Sequence, residues 1–194
     1  LDHLAIRFVE NGWSVKKTIR EIMLSRSYRM SSDHIPANSE VDESNRLFWQ
    51  MNLRRMEAEA IRDSLLAAGG RLELKRPEGS PFGNGRLASS KNGITGNGGD
   101  QAFSQPIRSV YLPVLRSRLP GMFTVFDFAE PSMVNGQRDV TTVAPQALFL
   151  LNNKFAVESA ELAAKRILAI KLPDEAARIR YAYAFTLSRK PEPD

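Results

Sequence analysis

Apolar positions recur at helical spacing in the N-terminal part of the chain. Leu4 and Phe8 mark the apolar face of one helix, which the turn at Asn11 and Gly12 would end. Ser14 can cap a second helix that carries an apolar face of its own. The pattern therefore predicts two consecutive helices, followed by a polar loop.

A third helical region is predicted for residues 44–68. Placing its residues at 100° intervals puts Glu57 in the middle of the apolar face, whereas Arg62 falls on the solvent side. A carboxylate that faces a core must be paired, hydrogen-bonded or protonated, and Arg54 is the nearest partner. A structural ion pair is the favoured interpretation of Glu57, and a functional carboxylate is the alternative.

Two short segments have the pattern of strands. Residues 71–75 alternate around Leu72, and residues 109–114 read as an extended segment around Val110. We expect them to pair as a minor two-stranded β-ribbon. Residues 69–106 hold nine of the twelve glycines, so residues 76–106 are predicted to be a flexible Gly-rich loop.

Three further helices are predicted besides the one in residues 136–155, which is described below. A short one is predicted for residues 119–126, a long one for residues 155–170, and a last one that starts at Pro173. The expected fold class is mainly α: a single-domain bundle of about six or seven helices with the β-ribbon and the long loop. Residues 1–194 would form this one domain, as a fragment of a larger multidomain protein.

Residues 136–155 are the most informative stretch. Thr141 and Thr142 offer an N-cap before a helix with Pro145 in its first turn. The apolar run that follows predicts a thoroughly buried helix. Its unpaired N–H groups would lie beside Arg138, so the region could bind an anion or be a well-capped core helix.

Composition is that of an ordinary globular protein, with an uneven charge. The net charge of +5 comes entirely from residues 69–120, which hold eight basic and three acidic residues. Such a segment could attract a polyanion, but aromatic residues are few there, which disfavours nucleic acid. There is no cysteine, and no run of about 18 apolar residues that would span a membrane. The two histidines, His3 and His34, lack the spacing of a metal site.

One set of polar residues flanks the elements that must pack together, and is the candidate binding site. Arginine forks suit carboxylate, phosphate or sulfate, whereas tyrosine, threonine and glutamine add directional hydrogen bonds. A buried polar network is the alternative, and we favour it because buried polar groups demand partners. The set consists of Arg108, Tyr111, Arg116, Asp127, Arg138, Thr141, Thr142 and Gln146.

Four blocks, in this order, resemble a planctomycete-specific domain of unknown function of the PSD-one type. The blocks are LDHLAIRFVENGWSVKKTIREIMLSRSYRMSS, NRLFWQMNLRRMEAEAIRDSLLAAGGRL, RSVYLPVLRSRLP and FDFAEPSMVNGQRDVTTVAPQALFLLNNKF. The family's usual N-terminal part is missing, and the paired arginine often found before the threonines is Gln137-Arg138 here. The resemblance marks motif positions without roles: Arg54, Glu57, Arg62, Asp63, Arg108, Tyr111, Arg116, Asp127, Arg138, Thr141, Thr142, Gln146 and Asn152.

The resemblance implies a C-terminal module of exported proteins that also carry cytochrome-c-like domains. It implies an extracytoplasmic location and a neighbouring haem-bearing domain, with no cofactor in this fragment. The leading hypothesis is therefore an accessory or interaction module that binds an anionic ligand. The alternative is an enzyme, or part of one, that acts on a sulfated or acidic polysaccharide with Glu57 or Asp127 as acid or base.

Overall fold

The computed structural model describes residues 1–78, 103–114 and 119–192. The chain divides into two compact units, Leu1–Arg55 and Met56–Asp194. Within the described residues there are eight α-helices, so the protein is mainly α, as predicted, but it has more helices than the six or seven expected. The additional helix, Pro36–Val41, lies in the segment predicted as a polar loop. The prediction that residues 1–194 form one domain stays a prediction.

The first unit contains three helices: α1 (Asp2–Glu10), α2 (Val15–Leu24) and α3 (Pro36–Val41). The predicted turn between α1 and α2 is confirmed, because Gly12 adopts a left-handed conformation with φ of 69°. The predicted cap is confirmed too, since the Ser14 hydroxyl accepts a hydrogen bond from the Lys17 N–H.

The described part of the second unit contains five helices and a 3₁₀ turn: α4 (Ala58–Ala68), the turn (Ser109–Tyr111), α5 (Gly121–Val125), α6 (Ala144–Asn152), α7 (Lys154–Ala169) and α8 (Glu175–Leu187). Helix α7 packs against α4, α6 and α8, while α5 packs against α4 and α6. The core beneath them consists of Ala58, Phe103, Ile107, Leu112, Met122, Phe123 and Phe126. The helices predicted for residues 119–126, for residues 155–170 and from Pro173 onward are confirmed within a few residues, as α5, α7 and α8.

The predicted β-ribbon is wrong. No strand occurs among the residues with described structure: one parallel bridge joins Glu73 to Ile107, and Val110 lies in the 3₁₀ turn. The physical reason is that both segments have other partners: the Ser109 N–H and hydroxyl donate to the Asp63 carboxylate, and the Glu73 N–H donates to the Pro106 carbonyl, which precedes the expected second strand. Most of the predicted Gly-rich loop, residues 79–102, lies outside the described residues.

The third predicted helix begins much later than expected. Helix α4 starts at Ala58, and Glu57 is its N-cap residue with an extended backbone and a side chain that is 57% exposed. Glu57 therefore does not face the core, and its ion-pair partner is Arg138 rather than Arg54. The orientation of Arg62 was also predicted wrongly, because it is completely buried. The buried stripe of α4 runs through every fourth residue, Ala58, Arg62 and Leu66.

The helix of the 136–155 stretch differs from expectation in its burial and its cap. Gln146 is the buried residue of α6, while Leu148 and Leu151 are 57% and 73% exposed. Its N-cap is Val143 rather than a threonine, and Pro145 lies in the first turn as predicted. The Gln146 side chain accepts from the Val143 N–H at 3.4 Å and so replaces the threonine cap.

Candidate functional site

Arg62 of α4 is a buried cation that binds the backbone of a neighbouring segment. Its Nε donates to the Phe103 carbonyl at 3.0 Å, and its Nη1 donates to the Ile107 carbonyl at 2.9 Å. Its Nη2 donates to the carbonyls of Phe103 and Gln105. Burial lowers the pKa of Arg62 to about 10, against the raising effect of the adjacent Asp63. The guanidinium thus fixes residues 103–107 against α4.

Asp63 extends this attachment to the 3₁₀ turn. Its carboxylate accepts from the Ser109 N–H at 2.8 Å and from the Ser109 hydroxyl at 2.7 Å. It also accepts from Arg62 at 3.3 Å. Two adjacent residues of one helix therefore hold both ends of residues 103–109.

Arg138 lies against the beginning of α4, where the protein's own carboxylates occupy it. It forms a bidentate ion pair with Glu59, with distances of 2.7 and 2.9 Å, and approaches Glu57 at 3.5 Å. The guanidinium also stacks over Phe128, 5.1 Å from the ring centre. The hydrogen bond to Glu59 raises the pKa of Arg138 above its ordinary value. The fork that could bind an external anion is thus paired internally.

Asp127 joins the end of α5 to the start of α6. It has a left-handed backbone with φ of 55°, and its carboxylate accepts from the Thr141 N–H and hydroxyl, both at 2.8 Å. The Gln146 amide donates to the carbonyls of Val125 and Thr141, each at 3.1 Å. These bonds form the polar network that the sequence offered as an alternative to a ligand site.

An open groove of about 770 Å³ runs beside α4. Its polar border includes Glu57, Glu59, Asp63 and Arg108. Its apolar lining is formed by Ala60, Ala67, Leu72, Leu74, Val110, Leu112, Val114 and Phe128. The carboxylates of Glu59 and Asp63 are held by the bonds above. Within the described chain, Arg108 has no ion-pair partner.

The residues singled out from the sequence do not meet at one point. Arg138 lies with Glu57, Arg108 shares the groove border with Glu57, and Asp127 lies with Thr141 and Gln146. Tyr111 is half-buried against the core, and Thr142 is exposed. Arg116 lies outside the described residues. Their ligand-binding or catalytic roles stay predictions.

The sequence pattern placed Glu59 and Arg62 on the solvent side, in ordinary surface pairs, and gave Asp63 no role, although these three residues carry much of this architecture. The family resemblance marked Arg62 and Asp63 without saying what they do. One signal was available: Arg62 lies four residues from both Ala58 and Leu66, so it shares their face of a helix that starts at residue 58. The sequence pattern predicted that this helix begins near residue 44, and with that start the shared face of Ala58, Arg62 and Leu66 was not recognised.

No group of three or more His, Cys, Asp or Glu side chains among the described residues could hold a metal ion. In the same part of the chain, no helix is long and apolar enough to cross a bilayer.

The protein is mainly α, and several of its candidate site residues are bonded to one another, as in the Arg138–Glu59 ion pair and the Asp127–Thr141 hydrogen bonds. The whole chain, residues 1–194, matches the family described as PSD1, protein of unknown function (DUF1553), and the chain belongs to that family. No curated protein and no solved structure matches it.

A structural role of Asp127 predicts a specific pattern of stability. Replacing Asp127 by Ala removes the acceptor for Thr141 and strains the left-handed backbone, so we expect a loss of about 1–3 kcal/mol in unfolding free energy. Asp127→Asn should lose less, because asparagine keeps one acceptor oxygen and tolerates this conformation. Urea unfolding measures both. Equal stability of the wild-type protein and Asp127→Ala would contradict the structural role.

Proposed function

We propose that the chain is a non-catalytic interaction module that binds an extended polypeptide segment in the groove beside α4. The observation that carries this proposal is the pairing of the groove's charges. Glu59 is held by Arg138 and Asp63 by Ser109, which leaves Arg108 as the groove cation without an ion pair among the described residues. A ligand with a carboxylate opposite Arg108 would complement this border.

The apolar lining supports a polypeptide ligand. Leu74 and Val110 are 74% and 68% exposed within the groove, and Val114 is partly exposed beside them. Alternating apolar side chains of an extended segment could cover these residues while its acidic side chain meets Arg108. We therefore expect the ligand to combine apolar residues with at least one aspartate or glutamate.

The family resemblance supplies the biological setting of the proposal. It supports a module of an exported multidomain protein, with the bound segment belonging to a neighbouring domain, such as a haem-bearing one. The sequence predicted an anionic ligand, and we propose that its anionic group is an aspartate or glutamate side chain of a largely apolar polypeptide.

The alternative, an enzyme for acidic polysaccharide, has one observation in its favour. Glu57 is exposed and lines the groove together with Arg108. Glycoside hydrolysis requires a second carboxylate across the scissile bond. Asp127 is not among the residues that line the groove, and Glu59 and Asp63 are held in ion pairs or hydrogen bonds. The geometry therefore favours binding over hydrolysis.

Selection from a library of random 12-residue peptides tests the proposal. We expect the enriched peptides to contain apolar residues and an acid, and to bind with micromolar dissociation constants, as single short motifs commonly do. Ala60→Trp should abolish binding, because this exposed α4 residue lines the groove. Ala160→Trp is the matched control, an exposed alanine of α7 outside the groove lining.

Two results would contradict the proposal. One is that the two tryptophan variants bind the peptides equally well. The other is that no peptide is enriched, while the chain hydrolyses a sulfated or acidic polysaccharide at a rate that falls in Glu57→Gln.

A further inference from the structure

A second cavity, of about 640 Å³, lies between α5 and the beginning of α7. Its lining combines polar residues with three phenylalanines, of which Phe103 is buried and Phe149 and Phe155 are half-buried. The rings of Phe103 and Phe155 meet edge to face, with centroids 5.0 Å apart. A cavity of this size and mixed composition suits an organic molecule that has an apolar body and a polar group. None of the candidate site residues that the structure describes lines it.

Two cations line this cavity, and one of them is neutralised locally. Lys154 pairs with Glu158 one helical turn later, at 3.7 Å. Arg71 forms no ion pair with a carboxylate in the described part of the chain. It is also close enough to the buried Arg62 to repel that cation. An anion beside Arg71 would relieve this excess of positive charge.

The backbone of Arg71 is fixed by the turn that ends α4. Its N–H donates to the Leu66 carbonyl at 2.8 Å. The preceding Gly70 has φ of 74°, and a Cβ there would lie 3.0 Å from the Arg166 side chain. This position therefore requires glycine, and the turn sets where the Arg71 side chain begins.

We propose that this cavity binds an organic anion, with Arg71 holding the anionic group and the phenylalanine rings enclosing an aromatic or aliphatic body. A guanidinium fork binds a carboxylate through two parallel hydrogen bonds, and aromatic walls stabilise the apolar part. The site is separate from the peptide groove, because no residue that the structure describes lines both.

Calorimetric titration with 2-naphthoate and its uncharged isostere, naphthalene-2-carboxamide, tests the charge requirement. We expect 2-naphthoate or dodecanoate to bind one per chain, and the carboxamide to bind at least about tenfold more weakly than 2-naphthoate. Arg71→Gln should weaken 2-naphthoate by a similar factor. Arg20→Gln is the control, since it removes the same charge from an exposed residue of the first unit.

Filling the cavity tests its position. A Cβ at Gly121, which lines the cavity, would meet no atom within 4 Å, so Gly121→Leu can fill the space without displacing the backbone. Gly136 has the same open surroundings outside the cavity lining, which makes Gly136→Leu the matched control. We expect Gly121→Leu to abolish binding and Gly136→Leu to leave it unchanged.

Three results would overturn this site. The first is that native protein binds neither 2-naphthoate nor dodecanoate. The second is that the carboxamide binds as tightly as 2-naphthoate. The third is that Gly121→Leu keeps the native affinity while circular dichroism shows it folded.

Discussion

Replacing Arg62 by Met is expected to lower the unfolding free energy by about 3–5 kcal/mol, the largest effect of any single change considered. The side chain is completely buried and donates to the carbonyls of Phe103, Gln105 and Ile107. Methionine fills a similar volume but leaves those carbonyls without their donor, and it removes the ion pair with Asp63, whose carboxylate keeps the hydrogen bonds from Ser109. Urea unfolding of the second unit measures the loss.

One further variant separates the hydrogen bonds of Arg62 from its charge, and a second variant serves as a control. Arg62→Lys keeps the charge but cannot reproduce the planar fork, so we expect it to lose about 2 kcal/mol or more. Arg180→Met is the control: this exposed arginine lies 4.0 Å from its partner Asp174, and its removal should change stability by less than about 0.5 kcal/mol. An Arg62→Met variant as stable as Arg180→Met would contradict the role given to this residue.

Replacing Arg138 by Met is expected to cost about 2 kcal/mol of unfolding free energy, the second-largest effect. The substitution removes a bidentate ion pair with Glu59 and the stacking on Phe128. It also leaves Glu57 and Glu59 as neighbouring uncompensated charges. A double-mutant cycle of Arg138→Met with Glu59→Gln measures the coupling free energy of the pair.

A second cycle provides the comparison for the Arg138–Glu59 pair. Glu57 is 57% exposed and lies 3.5 Å from Arg138, so Arg138→Met with Glu57→Gln should give a coupling below about 1 kcal/mol. Equal coupling in the two cycles would show that Arg138 does not select Glu59.

The sequence predicts local structure well where the relevant physics is local. The turn at Gly12, the cap at Ser14 and the start of the last helix each depend on a few neighbouring residues. Asp174 illustrates this, since its carboxylate caps α8 by accepting from the Ala177 N–H.

The incorrect predictions concern contacts between distant residues. Periodicity cannot tell that Arg62 finds its acceptors more than forty positions away, and an arginine without a known partner is placed in solvent by default. The β-ribbon fails for a similar reason, because Ser109, at the start of the expected second strand, donates to Asp63, which lies 46 positions away. The candidate anion site depends in the same way on Glu59, which lies 79 positions from Arg138.

We propose that the groove beside α4 binds a ligand, whereas the carboxylates of Glu59 and Asp63 at its border stabilise the fold. Methyl NMR of the native chain, titrated with a peptide enriched in the selection, tests it most directly. We predict chemical-shift changes for the methyl groups of Leu74, Val110 and Val114, which line the groove. Shifts confined to methyl groups away from the groove, such as those of Ile179 and Leu187 on α8, would contradict it.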